Sequence, residues 1–134
     1  MNLNALYNEA QKAALFAYAP YSHFRVGAAL LAEDGSLHTG CNVENRSFGL
    51  TICAERAALV SAVGKGKRVF TALAIAAPDS PVPVGPCGAC RQVLSEFMPP
   101  NAPVYFGGGG SQRITAAIGD LLPYDSLHDL ASKV

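Results

Sequence analysis

Hydrophobic and polar positions divide the first third of the chain into a helix followed by a hairpin. An apolar stripe at helical spacing predicts a helix that Asn4 caps and that runs to about Ala17. Two runs of strand length follow, at residues 25–32 and 37–42. Asp34-Gly35 lies between these runs and is typical of a tight turn, so the two strands are expected to pair as a hairpin.

Helices and strands alternate through the rest of the chain. The pattern predicts helices at residues 51–63, 88–97 and 126–132, and strands at residues 70–77, 103–106 and 113–118. Four glycines between the last two strands lack the following helix and lysine of a phosphate-binding loop, so we expect a flexible turn there. This order predicts an α/β fold with three α/β/α layers, in which helices flank a mixed sheet of about five strands.

Length and composition favour one compact domain that acts on a small molecule. No repeat or linker divides the 134 residues, so residues 1–134 are expected to form a single domain. The formal net charge is zero, which argues against nucleic acid or an anionic membrane as a partner. Residues 1–10 lack the pattern of a secretory signal, and no apolar run is long enough to span a bilayer. We therefore expect a cytoplasmic protein.

Three of the four cysteines predict a metal site with one open coordination position. Cys87 and Cys90 form a C-x-x-C pair, and Cys53 precedes them, two residues before Glu55. A structural zinc ion usually has four protein ligands, whereas a catalytic zinc ion has three and a water. Three cysteines and a nearby glutamate are typical of zinc-dependent nucleobase deaminases. Cys41 is expected to be a buried thiol in a strand, although as a fourth ligand it would close the site.

The predicted helix starts indicate how the residues around Cys53 could act together. Both cysteine groups fall where helices begin, and the free N–H groups there can offset the charge of thiolates. Arg56 follows Cys53 by three residues, so it lies on the same helix face and could donate to the sulfur. Glu55 would face away from Cys53 in a regular helix. It can reach the metal only if Cys53 lies at the very start of the helix, because helical side chains lean toward the N-terminus.

These residues lie within five segments that, in order, resemble the small, single-domain cytidine deaminases over nearly the whole chain. The segments are Pro20-Tyr21-Ser22 with Phe24, Val26 and Gly27-Ala28-Ala29; Gly40-Cys41-Asn42-Val43-Glu44-Asn45; Cys53-Ala54-Glu55-Arg56; Pro86-Cys87-Gly88-Ala89-Cys90-Arg91-Gln92-Val93; and Leu121-Leu122-Pro123. The resemblance implies hydrolysis of cytidine or 2′-deoxycytidine to uridine or 2′-deoxyuridine with release of ammonia, a step of pyrimidine salvage.

The same resemblance implies a role for each residue of the site. Cys53, Cys87 and Cys90 would hold one Zn²⁺ per subunit, and the water activated there would attack C4 of the pyrimidine. Glu55 would carry protons to N3 and to the leaving amino group. The residues implied to bind substrate are Asn42, Val43 and Glu44 at the ribose, Ala54 through its backbone N–H at the base carbonyl, and Phe24 against the ring, with core packing as the alternative for Phe24.

The resemblance also implies a homotetramer with active sites at the subunit interfaces. Phe48 is a candidate to reach the pocket of a neighbour. Relatives usually carry an aromatic residue three positions after the Leu-Leu-Pro proline, where this chain has Ser126. Tyr124 lies one residue after that proline, so either Tyr124 takes the role of the aromatic residue or the pocket is more open.

Two other functions stay as alternatives. One is deamination of a different aminopyrimidine, such as a nucleoside antibiotic of the blasticidin type, or of a nucleotide. A carboxylate at the sugar, from Glu44, favours a free nucleoside over a phosphorylated one. The other alternative is a non-catalytic zinc-binding module, which requires a fourth protein ligand such as Cys41.

Overall fold

Five strands form one mixed sheet in the computed structural model, which describes residues 1–127. The strands are β1 Gly27–Ala32, β2 Leu37–Cys41, β3 Phe70–Ala76, β4 Pro103–Gly107 and β5 Arg113–Ala117. Their order in the sheet is β2-β1-β3-β4-β5, with β3 and β4 parallel and every other neighbouring pair antiparallel. The predicted hairpin and mixed sheet are confirmed.

Helices cover both faces of this sheet. They are α1 Leu3–Ala14, α2 Ala54–Gly64, α3 Gly88–Ser95 and the short α4 Ile118–Leu121, with a 3₁₀ turn at Phe48–Leu50. α1 packs on one face, while α2 and α3 pack on the other. The three-layer α/β/α prediction is therefore confirmed. The sequence pattern did not predict α4 or the 3₁₀ turn, and the helix predicted at residues 126–132 falls largely outside the described residues.

Side-chain size differs between the two faces of the central strands. On β3, Leu73 and Ile75 point toward α2 and α3, whereas Ala72, Ala74 and Ala76 point toward α1. This alternation is the two-residue period of a strand. Because the residues beneath α1 are small, the α1 backbone can lie close to the sheet.

The first helix differs from its prediction at both ends. Asn2, not Asn4, caps it, since the Asn2 side chain accepts from the N–H of Ala5 at 2.8 Å. The side chain of Asn4 instead accepts from the Tyr105 hydroxyl at 2.9 Å. The helix ends at Ala14 because the next three N–H groups, at residues 15–17, bond to the carbonyls three residues earlier and tighten the chain.

The four-glycine segment lies against the backbone of residues 78–82. A Cβ on Gly108 would lie 2.4 Å from the Val82 carbonyl oxygen, and one on Gly109 would lie 2.5 Å from that of Pro78. The Gly109 N–H donates to the Ser80 carbonyl at 2.7 Å. Glycine is needed here for close backbone approach, a role that the prediction of a flexible turn did not include.

A similar contact sets the position of α2, the helix that follows Cys53. A Cβ on Gly40 of β2 would lie 2.5 Å from the backbone nitrogen of Ala58 and 2.7 Å from the carbonyl oxygen of Ala54. The helix backbone therefore rests directly on β2. Any side chain at Gly40 would have to push the start of α2 away from the sheet.

Substituting Gly40→Ala is expected to lower the free energy of unfolding by about 2 kcal/mol or more, because the new methyl group overlaps backbone atoms that cannot move independently. Gly64→Ala is the matched control. Gly64 is helical, and a Cβ there would meet no atom within 4 Å. The control should raise stability by about 0.5–1 kcal/mol, since alanine favours the helix more than glycine does. Urea unfolding of both variants measures the difference, and equal stability would contradict the proposed close contact.

Candidate active site

The three predicted cysteines meet at the N-terminal ends of two helices. Cys53 is the N-cap residue of α2, Cys87 is the N-cap residue of α3, and Cys90 lies in the first turn of α3. Their sulfur atoms all lie within 4.8 Å of one another, and those of Cys53 and Cys87 are 3.9 Å apart. Zn–S bonds of about 2.3 Å in a tetrahedron place sulfurs about 3.8 Å apart. The donor set and its spacing therefore fit Zn²⁺.

Both helices begin without a capping hydrogen bond to a cysteine sulfur. The carbonyl of Cys53 accepts the N–H of Ala57 at 3.0 Å, and that of Cys87 accepts the N–H of Arg91 at 2.9 Å. Neither cysteine side chain caps its helix. The unpaired N–H groups of the first turns point toward this end of each helix and favour negative charge there. This arrangement stabilises thiolates, the form of cysteine that binds metal.

Arg56 supports the thiolate on Cys53, as its spacing predicted. Its Nη2 atom donates to the Cys53 sulfur at 3.4 Å. The pKa of Cys53 is lowered to about 5, first because the Cys90 thiol donates to its sulfur and also because Arg56 does. The pKa of Cys90 is raised, since its proton is held by the Cys53 thiolate and its side chain is buried. The hydrogen bond from Arg56 therefore favours a thiolate on Cys53.

Glu55 is buried beside the thiols. Its side chain is only 4 % exposed and lines the same cavity as Cys53 and Cys87. Because α2 begins at Ala54, Cys53 lies at the very start of the helix. This is the position of Cys53 that we predicted to be necessary for Glu55 to reach the metal site. Burial raises the pKa of Glu55 to about 7. A carboxyl group with this pKa can both accept and donate a proton near neutral pH.

Two adjoining cavities open from the site and share Thr51. The first has a volume of about 180 Å³ and is lined by Cys53, Glu55 and Cys87, with Val26, Ile75 and Val84 as apolar walls. Pockets for small molecules are usually about 300–1,000 Å³. The second cavity, of about 420 Å³, is lined by Tyr21, Ser22, Glu44, Phe48 and Thr51. The first cavity is thus smaller than a usual ligand pocket, and the second adjoins it at Thr51.

Asn42 and Glu44 border different cavities. Asn42 is 8 % exposed and lines the first one, where its Oδ1 accepts from the N–H of Val26 at 2.9 Å and its Nδ2 donates to the Phe24 carbonyl at 2.8 Å. Glu44 lines the second cavity. The two side chains therefore border two cavities that adjoin at Thr51.

Other predicted site residues lie outside the two cavities. Phe24 is half-buried and lines neither of them. Val43 is exposed, and its backbone pairs with that of Ile52. Tyr124 is fully exposed and borders a separate groove with Met98 and Pro100.

The structure also adds residues to the site and leaves one cysteine out of it. Thr51, Val84 and Gly85 line the first cavity, and no periodicity or chemical pattern marked them in the sequence. Ala54 also lines that cavity, whereas Cys41 is half-buried in β2 and lies outside the cluster of thiols. Phe48 lines the second cavity and is 73 % exposed.

This fold and site define a class of protein: an α/β metalloenzyme in which three thiols leave a coordination position open next to a buried carboxyl group. Residues 1–106 match the family model for the cytidine and deoxycytidylate deaminase zinc-binding region. The chain is 49 % identical to a cytidine deaminase of Sporosarcina psychrophila, over 92 % of this chain and 90 % of that protein. It is 50 % identical to a cytidine deaminase of Halalkalibacterium halodurans, over 92 % of each.

Solved structures agree with these sequence comparisons. The crystal structure of a cytidine deaminase from Burkholderia pseudomallei matches with a TM-score of 0.88 and 46 % identity, covering 92 % of this chain and 98 % of that one. The chain belongs to the family of zinc-binding cytidine and deoxycytidylate deaminases. Over residues 1–127, no helix is long and apolar enough to cross a membrane.

The zinc content of cysteine variants tests whether the site has three or four protein ligands. Cys41→Ser is expected to keep about one zinc per chain, because Cys41 lies outside the cluster. Cys87→Ser should lose most of the metal, since it removes one of three sulfurs. Elemental analysis after dialysis against a weak chelator measures both. Loss of zinc from Cys41→Ser would indicate a closed, four-ligand site.

Proposed function

We propose that this protein catalyses the hydrolytic deamination of cytidine and 2′-deoxycytidine to uridine and 2′-deoxyuridine, with release of ammonia. The observation that carries the proposal is the cluster of three thiols beside the buried carboxyl group of Glu55 in one cavity. Relatives that are about half identical to this chain are cytidine deaminases, which supports the same substrate class.

Cys53, Cys87 and Cys90 would hold one zinc ion per subunit. Zinc bound there would supply the Lewis acidity that makes water a nucleophile near neutral pH. Three thiolates carry more negative charge than the ion neutralises. The positive ends of the two helix dipoles would offset this excess, together with Arg56, which donates to the Cys53 sulfur.

Glu55 would move the protons of the reaction. Its pKa of about 7 allows it to take a proton from water and pass it to N3 of the pyrimidine, which makes C4 more electrophilic. A second proton would go to the amino group, so that the C4–N bond breaks and ammonia leaves. Water supplies both protons, and its oxygen becomes the carbonyl oxygen at C4 of uridine. One carboxyl group can serve both transfers because it lies in the cavity that would hold the base.

The remaining residues would hold the nucleoside. The Ala54 N–H, at the start of α2, is our proposed donor to the base carbonyl, and Phe24 is proposed to pack against the ring. Asn42 and Glu44, on either side of Val43, would bind the sugar, since they border adjoining cavities of the cleft. The Ser22 hydroxyl lowers the pKa of Glu44 by donating to its carboxylate, so Glu44 is charged and would repel a phosphate on the sugar. This charge favours a nucleoside over a nucleotide.

The exposed aromatic and aliphatic side chains near the cleft support assembly of several chains. Phe48, Leu50 and Ile52 are 73 %, 65 % and 41 % exposed, more apolar surface in one segment than single scattered residues would leave. We propose a homotetramer in which Phe48 and Tyr124 complete the pocket of a neighbour. We also propose that the enzyme works in the cytoplasm, in pyrimidine salvage, with residues 1–134 as one domain.

Purified, zinc-loaded protein is expected to convert cytidine to uridine, followed by ultraviolet absorbance, and to leave CMP unchanged. Glu55→Gln should reduce kcat by about 10² to 10⁴, because the amide cannot shuttle a proton. Its zinc content should stay at the wild-type level, since Glu55 is not a ligand. Zinc retention is the control for an intact site. Wild-type turnover by Glu55→Gln would remove Glu55 from the mechanism.

The assembly is tested by sedimentation. We expect the wild-type protein to sediment as four chains and Leu50→Asp as smaller species, because a buried charge at an interface is not compensated. The variant should keep the circular dichroism of the folded chain, since Leu50 is exposed within one subunit. A wild-type protein that sediments as a single chain would contradict the proposed tetramer.

A further inference from the structure

The carboxylate of Glu44 is held by the segment Tyr21-Ser22, more than twenty residues earlier in the chain. Its Oε1 atom accepts the N–H of Tyr21 at 3.0 Å and the N–H of Ser22 at 3.2 Å. Its Oε2 atom accepts the hydroxyl of Ser22. Three donors from two consecutive residues therefore orient both oxygens of this carboxylate.

The Ser22 hydroxyl is itself held in one orientation. It accepts the N–H of Phe24 at 3.0 Å and donates to Glu44. A hydroxyl has a single proton, so Ser22 has none left to give to a ligand. Ser22 lines the second cavity beside Glu44 but can act on a ligand there chiefly through Glu44.

Counting acceptor positions shows what Glu44 can still bind. A carboxylate has about four lone-pair positions, two on each oxygen. On Glu44 the two backbone N–H groups occupy those of Oε1, and the Ser22 hydroxyl occupies one of those on Oε2. One acceptor position on Oε2 stays open. Glu44 can therefore accept one further hydroxyl, in a direction that the bond to Ser22 determines.

We propose that Ser22 is a positioning residue for the sugar: it holds Oε2 of Glu44 so that the open acceptor position of this atom receives one ring hydroxyl of the nucleoside. The inference rests on the proposed function. The 3′-hydroxyl is the ring hydroxyl that cytidine and 2′-deoxycytidine share, so it is the one assigned to Glu44. Ser22 thereby sets selection for the sugar and takes no part in the chemical step at the base.

Substituting Ser22→Ala tests this role with substrates that differ only in the sugar. The KM for cytidine is expected to rise about 10-fold, because a hydrogen bond to a charged group is lost, while kcat changes little. The kcat/KM for 2′,3′-dideoxycytidine, which has no ring hydroxyl, should stay at the wild-type value. Ser22→Thr keeps the hydroxyl and is expected to restore the wild-type KM for cytidine.

Ser36→Ala is the matched control. The hydroxyl of Ser36 donates to the carboxylate of Asp34 at 2.6 Å in the turn between β1 and β2, at the end of the hairpin opposite the cavities. This variant also loses a serine–carboxylate bond, yet both substrates should keep their wild-type kcat/KM. If Ser22→Ala fails to fold, Ser22→Cys supplies the test, because the thiol has a similar size and is a weak donor. Ser22→Cys should raise the KM for cytidine by a smaller factor than Ser22→Ala does. It should leave the kcat/KM for 2′,3′-dideoxycytidine at the wild-type value.

A double-mutant cycle with Glu44→Ala shows whether Ser22 acts through Glu44. Once Glu44 is removed, Ser22→Ala should cause no further rise in the KM for cytidine. An equal loss of kcat/KM for both substrates in Ser22→Ala would overturn the inference in favour of a general structural role. The inference would also be overturned if Ser22→Ala kept the wild-type KM for cytidine while Glu44→Ala raised that KM. Failure of the wild-type enzyme to deaminate cytidine would instead overturn the proposed function.

Discussion

The site depends on the meeting of two helix N-termini. α2 and α3 begin next to each other, and this brings the sulfurs of Cys53 and Cys87 to 3.9 Å although 34 residues separate them in the chain. Three thiols at this distance would repel one another as thiolates without nearby positive charge. The free N–H groups of both helices and the guanidinium of Arg56 supply that charge. The metal-binding geometry is thus a consequence of how two helices are placed on one sheet.

A small residue allows α2 to pack closely on the sheet, and the cysteines at the two helix starts leave both helices without a side-chain cap. Gly40 lets the backbone of α2 touch β2, and this contact contributes to the position of Cys53 relative to the sheet. Both helices have cysteine at the N-cap position, where serine, threonine, aspartate or asparagine would supply a capping hydrogen bond. Neither cysteine side chain makes such a bond. Such departures from local preference are typical of functional sites, where metal binding can offset them.

Two glutamates near the cleft have opposite acid–base properties because their surroundings differ. Burial raises the pKa of Glu55 to about 7, whereas hydrogen bonds from Ser22 and Tyr21 lower that of Glu44. The first is suited to proton transfer and the second to constant negative charge. In the proposed reaction Glu55 therefore transfers protons at the base, whereas Glu44 accepts a hydrogen bond from the sugar. Apart from the zinc ligands, the chemistry we propose depends mainly on this contrast.

The sequence by itself determined the features that follow from short spacings. Turn residues and apolar periods predicted the hairpin, the central strand and the helices that follow Cys53 and Cys87, and the order of Cys53, Glu55, Cys87 and Cys90 predicted a metal site. Local patterns were insufficient where distant segments compete for a group. Asn4 bonds to Tyr105 and leaves the cap to Asn2, and the glycines of the 107–110 segment fit against residues 78–82. Only the tertiary structure joined Ser22 to Glu44 and shaped the two cavities, because these contacts depend on how the packed elements bring remote backbone segments together.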